Sequence, residues 1–248
     1  MVLNRFRAFA EKISRGPVDF FVRHQISPNR LTLIGFGINV VVAFLFYWRV
    51  MEISYLHFTI PLLFFTAGAF DAFDGSVARK MNLVTKYGGF LDSTLDRYSD
   101  AFLILGMVAG GYFDGNNYFT PGIGITPTTG MYLGFWSMVS CLLISYIRSI
   151  AEKGGVDMKG VGFMERGERI LLIFIGTIIY GSIALSYAWN AEGLRIANEF
   201  FFWYLIAFTI LMDITIVERV IFAVQNLQRI DRGLPPLTRK EKSATKSS

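Results

Sequence analysis

Asp71-Ala72-Phe73-Asp74-Gly75-Ser76-Val77-Ala78-Arg79 is followed, after eight residues, by Gly88-Gly89-Phe90-Leu91-Asp92-Ser93-Thr94-Leu95-Asp96. Four carboxylates thus interrupt a strongly apolar chain. Asp71, Asp74 and Ala78 are spaced i, i+3 and i+7 and share one helix face; Gly88, Asp92 and Asp96, at i, i+4 and i+8, share a face of the next. The short connection predicts two antiparallel neighbours with their acids facing each other. One ionised side chain at the centre of a membrane helix costs roughly 2.5–3.5 kcal/mol, so the group needs compensation. Hard divalent cations such as Mg²⁺ or Mn²⁺ favour carboxylate oxygens and provide it. Interhelical salt bridges from Arg79 and Arg97 are the alternative. Two arginines do not balance Asp71, Asp74, Asp92, Asp96 and Asp100, and unpaired buried charge is costly. A metal-dependent site at the membrane surface is the expectation.

The surrounding sequence sets the class. Of 248 residues, 53% are hydrophobic and 16% aromatic, too apolar for an ordinary soluble domain. A bilayer crossing takes about 20 mostly apolar residues. Uncharged runs of that order occupy 31–48, 130–147 and 170–189. Shorter runs at 57–70, 101–113 and 200–212 each abut a charged patch and read as helices whose cytosolic third is polar and faces a cavity. The second helix then covers about 57–80, the third about 89–113 and the sixth about 198–224. The fold class expected is an all-α integral membrane protein, six transmembrane helices preceded by an N-terminal interfacial amphipathic helix.

Lys and Arg cluster before residue 31, at Arg79, Lys80 and Lys86, across 148–169 and from Arg219 onward, whereas the opposite loops hold few. The positive-inside rule therefore places both termini and the carboxylate end in the cytoplasm of a cell-membrane protein. The net charge of +5 follows from that asymmetry and suits anionic lipid head groups rather than nucleic acid. Residues 1–30 interleave Arg and Lys with Phe6, Phe9, Ile13, Val18 and Phe21, as an interfacial helix broken near Gly16-Pro17 does. Residues 31–225 form the membrane domain and 226–248 a polar cytosolic tail, expected to fray after Arg229. Cys141, the only cysteine, reads as a small buried apolar residue, and His24 and His57 as interfacial or structural.

The pattern Asp71-x-x-Asp74-Gly75-x-x-Ala78-Arg79, eight residues, Gly88-x-x-x-Asp92-x-x-x-Asp96 resembles the complete signature of the CDP-alcohol phosphatidyltransferases, matching at every fixed position. Ser27-Pro28-Asn29-Arg30-Leu31-Thr32 also resembles the Pro-Asn-x-x-Thr start of that family's first membrane helix. The resemblance implies six helices, a homodimer, and transfer of a phosphatidyl-type group from a CDP-linked lipid to an alcohol with release of CMP. It implies two Mg²⁺ or Mn²⁺ ions held by Asp71, Asp74, Asp92 and Asp96, with Asp96 also the candidate base. Asn29, Thr32, Gly75, Ala78 and Arg79 would hold the cytidine nucleotide. The chemistry fits the bare residues, since transfer at phosphorus needs charge neutralisation and an activated hydroxyl.

Ser145 and Arg148 end the fourth helix, Glu165-Arg166-Gly167-Glu168-Arg169 opens the fifth, and Arg219 lies near the cytosolic end of the sixth. Arginines converging from several helices suit a phosphate, so Ser145, Arg148, Arg166 and Arg219 are candidates to bind an acceptor phosphate. The run 88–97 with the Glu-Arg-x-Glu-Arg segment is similar to the inositol-phosphate branch of the family, which implies CDP-archaeol and inositol 1-phosphate as substrates. Glycerol phosphate or serine as acceptor, and an ion or proton transporter as a different class, remain open at this level.

Overall fold

The computed structural model describes residues 15–54, 56–114 and 127–237, and among them only helices and their connections. A short helix α1 covers 15–23. Six long ones follow: α2 (Pro28–Tyr47), α3 (Thr59–Lys80), α4 (Lys86–Ala109), α5 (Pro127–Lys153), α6 (Arg166–Ser186) and α7 (Ala191–Asp231). Local chemistry explains several ends. Pro28 occupies the first turn of α2 after Ser27, where a missing N–H costs nothing. Thr85 Oγ1 accepts from Gly88 N at 3.0 Å to cap α4, and Asn190 Oδ1 accepts from Gly193 N at 2.7 Å to cap α7.

The six long helices close into a ring, in the packing order α3, α2, α4, α5, α7, α6 and back to α3. This corrects one expectation. Although consecutive, α3 and α4 scarcely touch, and α2 packs between them. The reason is steric. A Cβ on Gly106 or Gly110 would run into the backbone of Ala43 or Phe46, so α2 and α4 meet backbone to backbone. Gly35 does the same more loosely toward α3, with Phe70 Cβ 3.3 Å from where its own Cβ would sit. Gly106→Val is expected to lose the α2–α4 contact, costing more than the usual ~1–3 kcal/mol of overpacking because backbone cannot yield. Recovery of folded protein on size exclusion would collapse; wild-type recovery would refute the close contact.

Five of the six long helices, all but α4, are long and apolar enough to cross a membrane. The exception carries Lys86, Asp92, Asp96, Arg97 and Asp100. Helix α7 has 41 residues, about 60 Å at 1.5 Å per residue, twice the roughly 30 Å of a hydrocarbon core. Its far end packs Phe222 and Ala223 against Val156, Met158 and Val161 of the α5–α6 connection. The main apolar core, including Phe46, Phe64, Met107, Tyr180 and Phe201, fills the ring.

At the α2 C-terminal end, Arg49 donates to Gly110 O, pairs with Glu52 and lies 5.2 Å from the Tyr112 ring centroid. Asn198 Nδ2 donates to Glu52 Oε1 at 3.0 Å, which ties α7 to the same clasp. Two further expectations change. The chain is helical through Gly16 and Pro17 and breaks instead at 24–27, where Gln25 has φ +52°; residues 1–14 lie outside the described residues. The tail does not fray at Arg229, because α7 continues to Asp231 and Pro235 O accepts from Arg229 Nε at 3.0 Å. Lys80 at the end of α3 donates to Asp19 of α1, a hydrogen bond that holds the Asp19 carboxyl below its usual range. Cys141 is buried, as expected. His57 is buried with Nδ1 2.5 Å from Ser54 O, a structural setting.

Candidate active site

The signature carboxylates gather at the start of α2, the end of α3 and the first half of α4. Asp71, Asp74 and Asp92 each bring one oxygen within 4.8 Å of the others. Asp74, 7% exposed, accepts from Thr32 Oγ1 at 2.6 Å, so α2 orients one acid of the cluster. Three converging hard oxygen donors fit a Mg²⁺- or Mn²⁺-type cation, and the Thr32 hydroxyl supplies the outer-shell hydrogen bond such ligands take.

Asp96 stands apart from that trio. Its Oδ1 pairs with Arg166 Nη2 at 2.8 Å, while Arg166 Nη1 lies 2.6 Å from Asp71 Oδ1. One guanidinium from α6 thus bridges α3 and α4 across the ring. Arg169, 3% exposed, repeats the motif one turn later, with Nη2 2.6 Å from Asp100 Oδ2. The neutralising arginines therefore come from α6. Arg79 and Arg97, the sequence candidates for that role, donate instead to Ser76 Oγ and Ser93 O.

Two cavities flank the carboxylates. One, about 280 Å³, is lined by Asn29, Thr32, Gly75, Ala78 and Arg79 together with Asp74 and Asp92. Every residue assigned to the nucleotide by resemblance thus meets around one space. At Gly75 an added Cβ would meet Arg79 Nη1 at 3.4 Å, an ordinary contact. The other cavity, about 360 Å³, is lined by Ser145, Arg148, Arg166 and Arg219 together with Asp96 and Asp100. All four candidates for an acceptor phosphate meet around it.

Arg219 is less free than its sequence position suggested. Only 2% exposed, it donates from Nε to Val161 O at 2.9 Å and from Nη1 to Ile144 O at 2.6 Å. Its Nη2 lies 3.9 Å from Glu165 Oε1. It clamps the α5–α6 connection, as does Thr215 Oγ1, which accepts from Met164 N at 3.1 Å. Sequence reading missed Ser93, Ser149 and Glu152, which also line the larger cavity. A signal existed: Ser145, Ser149 and Glu152 are spaced i, i+4 and i+7, one face of α5.

Comparison with known proteins accords with this geometry. The CDP-alcohol phosphatidyltransferase family pattern matches residues 25–225. The archaetidylinositol phosphate synthase of Pyrococcus horikoshii is 33% identical over 204 residues, covering 82% of this chain and 86% of that one. The crystal structure of Mycobacterium tuberculosis phosphatidylinositol phosphate synthase with CDP-DAG bound shares the fold, with a TM-score of 0.60 at 24% identity over 84% of this chain and 92% of that one. The same synthase in complex with manganese and citrate gives a TM-score of 0.60 at 23% identity, over 84% and 87% of the two chains. A matched pattern spanning most of the chain, complete in the residues that surround the three-carboxylate cluster, makes this multi-pass membrane transferase a member of the CDP-alcohol phosphatidyltransferase family.

Proposed function

We propose that the protein transfers an archaetidyl group from CDP-archaeol to a hydroxyl of inositol 1-phosphate, releasing CMP. The observation that carries this reading is the pair of cavities on either side of one carboxylate cluster, the larger one lined by arginines. In the proposed step the acceptor oxygen bonds to the lipid-side phosphorus, the bond from that phosphorus to the bridging pyrophosphate oxygen breaks, and CMP departs with that oxygen. Asp96 receives the hydroxyl proton. Asn29, Thr32, Gly75, Ala78 and Arg79 hold the nucleotide, and Ser145, Arg148, Arg166 and Arg219 hold the acceptor phosphate. Two Mg²⁺ or Mn²⁺ ions held by Asp71, Asp74, Asp92 and Asp96 would, when bound, neutralise phosphate charge and steady the attacking and leaving oxygens.

The membrane arrangement belongs to the same proposal. Helix α4 is the sixth span, its acids turned toward the ring interior, where Arg166 and Arg169 meet them. The basic clusters at Arg79, Lys80 and Lys86 and at 148–169 support a site at the cytoplasmic face of the cell membrane. In this reading α1 and the residues before it lie in the interface, 226–248 forms the cytosolic tail, and the protein works as a homodimer.

Purified protein given CDP-archaeol and a panel of acceptors, with products read by mass spectrometry, tests the reading. Inositol 1-phosphate should be consumed with metal-dependent CMP release, and free inositol and serine should be poor acceptors. Equal use of serine or free inositol would sink the phosphate-pocket reading. An arginine-lined cavity also suits glycerol phosphate, the second candidate, and the same panel separates the two. Arg148→Ala should raise the KM for inositol 1-phosphate roughly ten- to a hundredfold, the worth of a charge-assisted hydrogen bond of about 1.5–3 kcal/mol. The KM for the CDP-lipid should barely move, because Arg148 lines only the larger cavity. Comparable changes in both constants would refute the division of the site.

A further inference from the structure

The arginines of the larger cavity are, with the exception of Arg97, already engaged with acids. Arg148 Nε lies 2.9 Å from Glu152 Oε1, Arg169 holds Asp100, and Arg219 stands 3.9 Å from Glu165. Arg166 is the unusual member. Its two partners, Asp71 and Asp96, are acids that the proposed reading assigns to metal, and they take Nη1 at 2.6 Å and Nη2 at 2.8 Å. Its Nε is buried without a hydrogen-bond partner. Both terminal nitrogens, one fork that could grip a phosphate, are therefore committed to carboxylates.

Charge decides which arrangement wins. Four acids, Asp71, Asp74, Asp92 and Asp96, share one guanidinium, that of Arg166, while Asp100 is matched by Arg169. An anionic acceptor entering the larger cavity therefore competes with Asp71 and Asp96 for Arg166. Once divalent cations offset the carboxylates, the positive charge of Arg166 is in surplus, its attraction to Asp71 and Asp96 falls, and an anion in the adjoining cavity becomes its better partner. Arg166 already lines that cavity.

We propose that Arg166 couples the metal site to the acceptor site: it holds Asp71 and Asp96 in the metal-free protein and turns to the acceptor phosphate once those carboxylates are metal-bound. Metal and acceptor then bind with positive cooperativity, and linkage requires the effect to be reciprocal. This inference rests on the proposed acceptor reading, and its test separates the two.

Isothermal titration of the purified full chain with Mn²⁺ and with inositol 1-phosphate, each alone and in the presence of the other, provides the measurement. Saturating Mn²⁺ should tighten inositol 1-phosphate binding by at least about fivefold, and inositol 1-phosphate should tighten Mn²⁺ by the same factor. Without acceptor, Arg166→Gln should bind Mn²⁺ about fivefold tighter than wild type or better, since a competing cation has been removed. Arg166→Lys keeps the charge but spans only one of the two carboxylates; it should fall between, and it serves as the test if the Gln variant does not fold. Weaker or unchanged Mn²⁺ binding in these variants would overturn the proposal and make Arg166 an anchor that orients Asp71. Acceptor binding indifferent to Mn²⁺ would overturn the coupling alone. Failure of the wild type to bind inositol 1-phosphate under either condition would overturn the acceptor reading and the coupling with it.

Discussion

Asp92→Asn is expected to cut transfer by about a hundredfold or more while the protein still folds, purifies and elutes as wild type does. Replacing even an outer-shell partner of a metal ligand typically costs 10–100-fold, so a residue proposed to ligate the metal directly should lose at least that much. The asparagine keeps shape and volume but loses the charge that a hard cation requires. Asp71→Asn should behave alike in transfer, with one difference that the structure supplies: it also removes the partner of Arg166 Nη1. Substantial activity of either variant at saturating Mg²⁺ would remove the metal assignment of the cluster. A loss of both activity and folding would instead make these acids structural.

Asp96→Asn carries the second large effect. If Asp96 takes the acceptor proton, turnover should fall about 10²–10⁴-fold, the usual worth of general base catalysis. The KM for the CDP-lipid should change little, because Asp96 lines the larger cavity and not the one around Asn29 and Gly75. A mutation that lowers kcat and kcat/KM together removes an interaction made only in the transition state. Loss of CDP-lipid affinity as great as the loss of turnover would assign Asp96 to metal binding alone. In the structure Asp96 is paired with Arg166 rather than grouped with Asp71, Asp74 and Asp92.

Helix ends show how far the sequence could be read. Arg166 begins α6 inside the segment read as opening the fifth helix, but α5, marked by the apolar run 130–147 and read as ending at Arg148, runs on to Lys153. Hydropathy reports where a helix can meet lipid, not where its hydrogen bonds stop. Past residue 147 the helix continues through the Arg148–Glu152 pair at i, i+4, which supports a helix in water as readily as in a membrane. Helix α7 outruns the expected 198–224 at both ends for the same reason, capped by Asn190 before its first turn and followed to Asp231.

The sequence by itself determined the class of protein, the family, and which residues share a face. Carboxylates at i, i+3 or i, i+4 on one helix must project together whatever surrounds them, so the pairs Asp71/Asp74 and Asp92/Asp96 were legible from spacing, whereas the packing brought Asp92 and not Asp96 to the other two. Tertiary structure alone decided which helices meet. Apolar faces are equally content against lipid or one another, so periodicity does not choose partners; close backbone approach does, and Gly106 and Gly110 bring α2, rather than α3, against α4. The same ring closure carries Arg166 to Asp71 across 95 residues of chain. That pair depends on where two distant helices stop rotating about their axes, a quantity fixed by packing around the whole ring and not by any local run of residues.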